Sequence, residues 1–470
     1  MRVSARRLAH VLTPPRAPSG LAERARWEWW SRDGGDPIAL ATAFLKGHGF
    51  AVRPLGGPCT ADPAIAGATL LLGAAALPAD LAGLPAAAPS PCPEVPDAAV
   101  VVYGTAPQAP GTRPDAAAEP ARIGPWTPSW SRADHAAAVD RVRAAIARGD
   151  LYQANVVGHR SAPYDGPLST AATAVHRVAS APFAGSLAGE GWSVHSASPE
   201  LFLEVGESVV RVRPIKGTAA DPAVLRASLK DRAEHVMIVD LERNDLGRVA
   251  VTGSVRVPLL YDVVRLAGVW HAESTVEAEL RPGVGLDDVL AATFPGGSVT
   301  GAPKRAALAA IHAIEPVGRG PSMGAFGWVT PAGRVELGLS IRTFAVAGGR
   351  IHLWTGGGVT WGSDPGAEVA EAEAKAAPLL AALAAAAAGP DQVGGPDRAA
   401  SPDDAGGPDQ AGGPDRAASP DDAGGPDQAG GPDRAASPDD GPARVPRAPG
   451  DAGTADAEPA TAADPGDRTA

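Results

Sequence analysis

Cysteine is scarce in this chain, which has only two in 470 residues. Cys59 and Cys92 cannot build a disulfide framework, so the sequence fits a reducing compartment and predicts a cytoplasmic location. Long apolar runs are missing as well. No stretch reaches the roughly 18 apolar residues of a membrane-spanning helix, so no membrane span is predicted. The basic N-terminus has no continuous apolar segment, so no signal peptide is predicted either.

An excess of one charge is missing from most of the chain, although the net charge is −12. Residues 391–470 hold 17 acidic and six basic residues, a net of −11, which leaves 36 acidic against 35 basic residues in the other 390. Nucleic-acid binding favours a basic bias, which the nearly neutral part of the chain does not have. No nucleic-acid partner is therefore predicted.

Large apolar residues are missing from the C-terminal segment. From Gly394 the sequence GGPDRAASPDDAGGPDQA repeats with a period of 18 residues, and residues 391–470 contain no Leu, Ile, Phe, Tyr or Trp. Such a segment cannot bury enough apolar surface to offset the entropy lost on ordering. We predict that residues 389–470 are a disordered, low-complexity acidic tail that solubilises the chain. Partner binding by this tail is the alternative.

The rest of the chain divides near residue 125. Residues 1–125 are rich in Ala, Pro and Gly, and short apolar runs such as ATLLLGAAAL and AAVVVYG predict buried strands or pieces of helix. Residues 126–388 alternate strands, helices and Gly-rich turns. A helical pattern with Asp134 as candidate N-cap and Gly149 as candidate stop opens this region, and a strand should follow.

Two predicted helices each carry a pair of acidic residues three positions apart. Asp231 and Glu234 lie on a helix expected to run unbroken from Asp221, and Glu368 and Glu371 lie on a second helix far downstream. Residues three apart share a helix face, so two such helices predict a site for a hard cation, for which Mg²⁺ is the best match. The alternative is a pair of solvated acidic faces.

Three features favour an anionic ligand. The Gly-rich segment TFPGGSVTGAPK at 293–304 lacks the ending of a P-loop, but free N–H groups where it feeds a helix favour a carboxylate. Gly356–Gly358 follow a predicted strand, as a turn that lets the backbone approach a ligand, with an ordinary bulge or tight turn as the alternative. Arg342 is predicted within an apolar strand, where a substrate carboxylate or an internal salt bridge would pair it.

Lys216 follows a predicted hairpin. Pairing Val205 with Val210 across a Gly-Glu-Ser turn leaves Glu200 opposite roughly Ile215. Neighbours across a strand pair lie about 5 Å apart and diagonal neighbours about 7–8 Å apart, which puts Glu200 within reach of Lys216. The alternative is an ordinary solvated lysine beside a turn.

Together these motifs resemble the chorismate-utilising enzymes, which include the large subunits of anthranilate and aminodeoxychorismate synthases and, more distantly, isochorismate and salicylate synthases. The resemblance covers roughly residues 130–385. It implies an α+β fold, with one large catalytic domain of packed antiparallel sheets and outer helices. The motifs that carry it are GDLYQANVV, SPELF, RPIKGT, AEHVMIVDLERNDLGRV, FPGGSVTGAPK, IRTF and GGGVTWGSDPGAEVAEAEAK.

The resemblance also implies roles for individual residues. Mg²⁺ would be held by Glu234 and Glu371, with Asp231 and Glu368 in the surrounding acid cluster. The substrate chorismate would meet six residues, with its carboxylates directed at Arg342 and the glycines. The implied substrate-binding residues are Arg342, Gly356, Gly358, Thr300, His271 and Thr218.

Two positions separate the members of the family. Members that add water are expected to carry a lysine base where this chain has Gln153, and anthranilate-type members carry a small residue where it has Lys216. The resemblance therefore implies amination of chorismate at C4, with Lys216 as nucleophile and Glu200 as general acid and base. The product, 4-amino-4-deoxychorismate, would serve para-aminobenzoate and folate supply or a related secondary pathway.

The ammonia for this reaction must come from elsewhere. Neither Cys59 nor Cys92 lies in a nucleophile-elbow sequence, so the expected partner is a separate glutamine amidotransferase subunit, with free ammonia as the other source. Component I of anthranilate synthase is the nearest alternative. A catalytically silent chorismate-binding or scaffold protein is the second alternative.

Overall fold

The structure is a computed structural model of the chain. It describes residues 21–105, 120–178, 181–266 and 269–388. The predicted acidic tail at 389–470 lies outside the described residues. Among the residues that are described, no helix combines the length and apolar character needed to cross a bilayer.

The described residues form eight α-helices and eighteen β-strands. The helices are α1 Pro37–Gly47, α2 Arg132–Ala147, α3 Ser169–Arg177, α4 Pro222–Ala227, α5 Leu229–Gly247, α6 Leu286–Thr293, α7 Lys304–Ile314 and α8 Pro365–Ala387. The strands are β1 Leu21–Trp29, β2 Ile65–Leu72, β3 Ala98–Thr105, β4 Arg122–Ile123, β5 Thr127–Pro128, β6 Gln153–Asp165, β7 Phe183–Gly189, β8 Trp192–Ser198, β9 Leu201–Gly206, β10 Val209–Arg213, β11 Ile215–Ala219, β12 Arg256–Leu266, β13 Val269–Glu279, β14 Gly301–Ala302, β15 Ala325–Val329, β16 Val335–Leu339, β17 Thr343–Ala347 and β18 Arg350–Val359.

Two antiparallel sheets organise these elements. The ten-stranded sheet has the order β1-β3-β2-β15-β16-β9-β10-β13-β11, and β12 pairs with β13. The eight-stranded sheet has the order β14-β6-β18-β17-β8-β7, with the short β4 and β5 also paired to β6. The apolar runs near residues 68 and 98, for which the sequence left strand and helix open, form the buried strands β2 and β3.

The core lies between the sheets. Leu71 and Phe326 of the ten-stranded sheet share one apolar cluster with Trp192 and Val194 of the eight-stranded sheet. Burying a large apolar side chain contributes about 1.5–3 kcal/mol, so this cluster holds the two sheets face to face. The helices α3 and α8 cover part of the eight-stranded sheet through a second cluster, and α2 and α7 pack on β6 through a third. The predicted α+β fold of packed antiparallel sheets with outer helices is confirmed.

The start of α2 differs by a few residues from the sequence-based prediction. Ser131, not Asp134, is the N-cap, and its hydroxyl accepts the Asp134 N–H at 3.1 Å. Asp134 is the third helical residue, and its carboxylate accepts the Ser131 N–H at 3.1 Å. This reciprocal pair is a capping box. It satisfies two N–H groups that a cap at Asp134 would leave unpaired.

The helix expected to run unbroken from Asp221 is two helices. Asp221 caps α4, and Ser228 ends it and caps α5, accepting the Asp231 N–H at 3.1 Å. A serine side chain competes for local backbone groups and so favours a helix start over a helix interior. The break leaves Leu229, at the first position of α5, 82% exposed. The downstream helix α8 begins as predicted, with Asp364 as its N-cap.

Candidate active site

Lys216 lies on β11, at the edge of the ten-stranded sheet. The strand pairs with β13, where Lys216 is opposite Ala272, and the pairing is irregular at Gly217. Gly217 has φ +71°, a left-handed conformation that glycine adopts without strain. The Lys216 ammonium donates a hydrogen bond to the Ser298 carbonyl at 3.2 Å. Lys216 is therefore tied to a distant loop and is not the freely solvated lysine of the alternative interpretation.

The predicted hairpin brings Glu200 to Lys216. Val205 pairs with Val210 as expected, and the register then shifts between Arg211 and Arg213. Glu200 lies in the short connection between β8 and β9 and is 5% exposed. Its carboxylate accepts the N–H of Ile215, the residue before Lys216, at 3.3 Å.

The two groups shift each other's protonation. Burial lowers the pKa of Lys216 from its ordinary value, the Glu200 carboxylate opposes this shift, and the nearby Lys375 cation adds to it. Burial raises the pKa of Glu200, which the Lys216 cation and a hydrogen bond from Ser298 oppose. Burial thus favours the neutral form of both side chains. An amine with a lowered pKa and a carboxyl with a raised pKa suit a nucleophile and a general acid.

Residues Phe294–Thr300, the 294–300 loop, lie beside this pair. A short 3₁₀ turn at Gly297–Val299 shapes the loop, and Thr300 closes it by donating its hydroxyl to the Gly296 carbonyl at 2.9 Å. The sequence predicted that this loop leads directly into a helix, but it does not. The strand β14 intervenes, and Pro303 is the N-cap of α7 instead of a residue of its first turn.

The predicted glycine turn at Gly356–Gly358 is wrong, because all three residues lie within β18 and pair with β6. We call them the glycine run. Because the glycine run has no side chains, other side chains lie close to its backbone on both faces of β18. A methyl group added at Gly357 would lie 3.1 Å from Glu368 Oε2 and 3.6 Å from Glu371 Oε1. A methyl group at Gly358 would overlap the amide of Gln153.

Gln153 is fully buried beside the glycine run. Neither atom of its side-chain amide has a hydrogen-bond partner among the described residues. A buried, unpaired amide costs free energy, so this position favours an occupant with polar groups. An amide cannot remove a proton from water, which makes Gln153 unsuited to act as a general base.

The predicted acidic residues lie around the same strands. Glu234 of α5 accepts a hydrogen bond from the Thr360 hydroxyl at 3.2 Å, just after β18. Glu371 of α8 is ion-paired with Lys375 at 2.7 Å, and Lys375 also donates to the Gly356 carbonyl at 2.9 Å. Asp231 of α5 lies beside β11, where a methyl group added at Gly217 would be 3.5 Å from the Asp231 carboxylate. The helices α5 and α8 therefore carry carboxylates close to β11 and β18.

These carboxylates are the hard oxygen ligands that Mg²⁺ prefers. In the described part of the chain, no three His, Cys, Asp or Glu side chains are grouped closely enough to hold a metal by themselves. Mg²⁺ commonly takes only one or two protein carboxylates and completes its shell with water and substrate. The donor set therefore fits a magnesium ion shared with an anionic substrate, and Mg²⁺ stays a prediction.

Arg342 lies in the bend between β16 and β17, not within a strand as expected. Its φ of +52° is uncommon for a residue with a side chain and is the kind of strain that concentrates at functional sites. Burial lowers the pKa of Arg342, and the charge of Glu200 opposes this shift. A partly buried cation needs an anion, so Arg342 suits a carboxylate-bearing ligand next to Glu200.

His271 lies on β13 opposite Thr218 of β11 and is 1% exposed. Burial lowers the pKa of His271, and the Arg342 charge lowers it further, which favours the neutral ring. The side chain of Thr218 lies outside the described residues.

Sequence reasoning missed three contributors to the site. Ser298 contacts both Lys216 and Glu200, and only its place in a Gly-rich segment hinted at this. Lys375, four residues after Glu371, follows the spacing of a helical ion pair and was detectable on that ground. Thr360 carried no signal.

A model of the chorismate binding enzyme family matches residues 88–381. The chain belongs to the chorismate binding enzyme family. The membership expected from the sequence motifs is thereby confirmed.

Several curated members of the family are similar to this chain. Aminodeoxychorismate synthase component 1 of Salmonella typhimurium is 38% identical over 256 residues, which are 52% of this chain and 56% of that protein. Anthranilate synthase component 1 of Streptomyces coelicolor is 39% identical over 291 residues, 59% of this chain and 57% of that protein. The match thus spans little more than half the length of each relative. Identity does not separate their two named activities.

The fold has solved counterparts. Anthranilate synthase component I from Streptococcus pneumoniae superimposes with a TM-score of 0.63 at 22% identity, covering 81% of this chain and 95% of that one. An isochorismate synthase from Escherichia coli, MenF, superimposes with a TM-score of 0.53 at 17% identity, covering 79% of this chain and 95% of that one. At this identity the similarity establishes the fold alone.

Proposed function

We propose that this chain is the chorismate-aminating subunit of an aminodeoxychorismate synthase. It converts chorismate and ammonia to 4-amino-4-deoxychorismate and water, for para-aminobenzoate and folate supply or a related secondary pathway. The observation that carries the proposal is the placement of Lys216. Its amine lies beside Glu200 and 3.2 Å from the Ser298 carbonyl, and burial lowers its pKa.

The reaction uses Lys216 as a temporary nucleophile. Its neutral amine attacks C2 of chorismate, both ring double bonds shift by one position, and the C4 hydroxyl leaves as water after taking a proton from Glu200. Ammonia then adds at C4, both double bonds shift back, and the amine of Lys216 leaves. Glu200 accepts the proton that the new amine gives up, so protons balance over the cycle. The raised pKa of Glu200 favours the protonated form that the first step needs.

Magnesium is the cofactor we propose, held by Glu234 and Glu371 with Asp231 and Glu368 near it. When bound, it neutralises substrate carboxylate charge and orients the ring. Arg342 holds a second anionic group of the substrate. The ammonium of Lys375 balances the charge of Glu371 at 2.7 Å.

A separate amidotransferase subunit is the proposed ammonia donor. Glutamine hydrolysis of that type needs a reactive thiolate. Cys92 is 1% exposed, and burial raises the pKa of its thiol to about 12, so it is inert at neutral pH. Cys59 is exposed and belongs to no helix or strand.

Anthranilate synthase activity is the second candidate, and the similarity to the Streptomyces coelicolor protein favours it. That reaction places nitrogen at C2, the carbon that the Lys216 amine would occupy. Product identity therefore discriminates between the two.

The decisive experiment incubates the full chain with chorismate, Mg²⁺ and ammonia and identifies the product by mass spectrometry and NMR. Lys216→Ala should abolish efficient formation of the C4 product, with any residual amination moved toward C2. Lys216→Arg should not restore it, because a guanidinium stays protonated. Lys46→Ala, which removes an exposed lysine of α1, is the matched control. Formation of the C4 product by Lys216→Ala at the wild-type rate would refute the mechanism.

A further inference from the structure

A buried ion pair lies behind the 294–300 loop, outside the residues proposed for catalysis. Glu315 is the C-cap of α7, and Arg319 follows four residues later. Their exposed fractions are 8% and 7%. Arg319 donates from Nε and Nη2 to the two carboxylate oxygens of Glu315, at 2.8 and 2.7 Å. This two-point contact fixes the plane of the guanidinium.

The pair takes the place of a strand beside β6. One edge of β6 pairs with β14 at Gln153 and Ala154 and with β5 at Arg160 and Ser161, and the register places no described strand between these two. In that gap the Asn155 carbonyl accepts from Arg319 at 2.9 Å, and the Val157 N–H donates to Glu315 at 3.0 Å. Buried backbone groups need such partners. The pair thus satisfies a strand edge that would otherwise be unpaired.

The same guanidinium holds the 294–300 loop. Arg319 Nη1 donates to the Val299 carbonyl at 2.7 Å. Val299 follows Ser298, whose carbonyl accepts from Lys216 and whose hydroxyl bonds Glu200. One rigid side chain therefore ties β6 to the peptide next to the one that contacts the catalytic pair.

The pair does not itself belong to the catalytic pocket. Glu315 and Arg319 line a separate cavity of about 760 Å³, and none of Lys216, Glu200 and Arg342 lines it. Any effect of the pair on the reaction must therefore pass through the 294–300 loop or through β6, which pairs with the glycine run.

We propose that Glu315 and Arg319 are positioning residues that hold the 294–300 loop so that Ser298 presents its carbonyl to Lys216 and its hydroxyl to Glu200. The inference rests on the proposed function, because it gives the loop the task of presenting a nucleophile. A residue that orients the nucleophile without touching substrate changes kcat more than KM.

The test compares three variants of the full chain. Arg319→Met removes all four hydrogen bonds that Arg319 donates. Arg319→Lys keeps a cation next to Glu315, but the single nitrogen of a lysine cannot reach all the acceptors of the guanidinium. Arg305→Met is the matched control. Arg305 of α7 also donates to two backbone carbonyls, those of Asp80 at 3.2 Å and Ala82 at 2.9 Å, but these acceptors belong to a segment far in sequence from the 294–300 loop. Melting temperature, KM for chorismate and kcat are measured for each.

Arg319→Lys should fold, lower kcat at least about tenfold and change KM less than about threefold. Arg305→Met should stay within about twofold of wild type in both constants. If Arg319→Met does not fold, Arg319→Lys decides the question. Wild-type kcat in a folded Arg319→Lys variant would overturn the proposal.

A second readout needs no turnover. The rate of reductive methylation of Lys216 by formaldehyde and cyanoborohydride, relative to that of the exposed Lys46, should change at least about threefold in Arg319→Lys and stay unchanged in Arg305→Met. If the wild-type chain aminates chorismate only at C2, the proposed function fails, while a changed methylation ratio in Arg319→Lys still supports the positioning role. An unchanged ratio together with an inactive Lys216→Ala variant overturns the positioning role alone.

Discussion

Alanine substitutions along the glycine run should have graded effects that follow from the atoms each methyl group meets. At Gly357 the nearest atoms are Glu368 Oε2 at 3.1 Å, Glu371 Oε1 at 3.6 Å and Lys375 Nζ at 3.6 Å. These are ends of flexible side chains that shift easily. Alanine also lowers the conformational entropy of the unfolded chain, which stabilises the folded state by about 0.4–1 kcal/mol. Gly357→Ala should therefore change the free energy of unfolding by less than about 1 kcal/mol.

The two neighbouring positions should respond more strongly. At Gly358 the three nearest atoms all belong to the side chain of Gln153, which is buried and has little room to move. Overpacking of this kind costs about 1–3 kcal/mol. At Gly356 the methyl group overlaps the Val156 carbonyl oxygen and lies 2.7 Å from Val157 Cα, both backbone atoms of β6. The strand ladder itself must give way there, so Gly356→Ala should cost about 3 kcal/mol or more.

Urea unfolding of the full chain measures these free energies, and a double-mutant cycle isolates the cause. Gln153→Ala removes the side-chain amide that a methyl group added at Gly358 would meet. The Gly358→Ala substitution should then cost at least about 1 kcal/mol less in the Gln153→Ala background than in wild type. The cost of Gly356→Ala should not change with Gln153→Ala, because its conflict is with backbone. Equal costs for all three glycines, or strict additivity at Gly358, would refute this reasoning.

Three further outcomes are expected. The kcat/KM at constant free ammonia should rise with pH through an apparent pKa below the value of about 10.4 of a free lysine, because burial lowers the pKa of Lys216; a limb at or above that value would contradict the assignment. Glu234→Gln and Glu371→Gln should each raise the Mg²⁺ concentration needed for half-maximal rate, and an unchanged requirement would remove that residue from the site. Burial lowers the pKa of His159 to about 3 and that of His352 to about 4, so protons bind the unfolded chain preferentially below about pH 6.5. Urea unfolding should show stability falling from pH 7 to pH 5 by up to about 2 kcal/mol per histidine, and equal stability at both would contradict it.

Local patterns in the sequence were enough to predict that Glu200 lies near Lys216, since its carboxylate accepts the N–H of Ile215. A turn cluster and alternating apolar residues predicted the pairing of Val205 with Val210, although not the register shift between Arg211 and Arg213. The contact with Ser298 was not predictable in the same way, because 82 residues separate it from Lys216. No local periodicity specifies which loop closes over a strand edge.

The glycine run was misread for a related reason. A glycine cluster after an apolar strand is typical of a turn, and nothing local shows that the strand continues. Gly356–Gly358 are accommodated in β18 because neighbours from other parts of the chain, Gln153 on one face and Glu368 on the other, fill the space that side chains would take. The information lies in that packing and not in the segment itself.

Lys216 and Glu200, the proposed catalytic pair, are held by other parts of the chain as well. The short contacts to the pair come largely from backbone groups: the Ser298 carbonyl receives the Lys216 ammonium, and the Ile215 N–H reaches the Glu200 carboxylate. Backbone groups do not change with single substitutions, so the site's precision depends on where its loops are placed. The placement of these loops depends in turn on buried side chains such as Arg319, which donates to two backbone carbonyls. Arg319 lies outside the sequence motifs on which the family resemblance rests. Substitutions behind the 294–300 loop should therefore affect catalysis more than their distance from the substrate suggests.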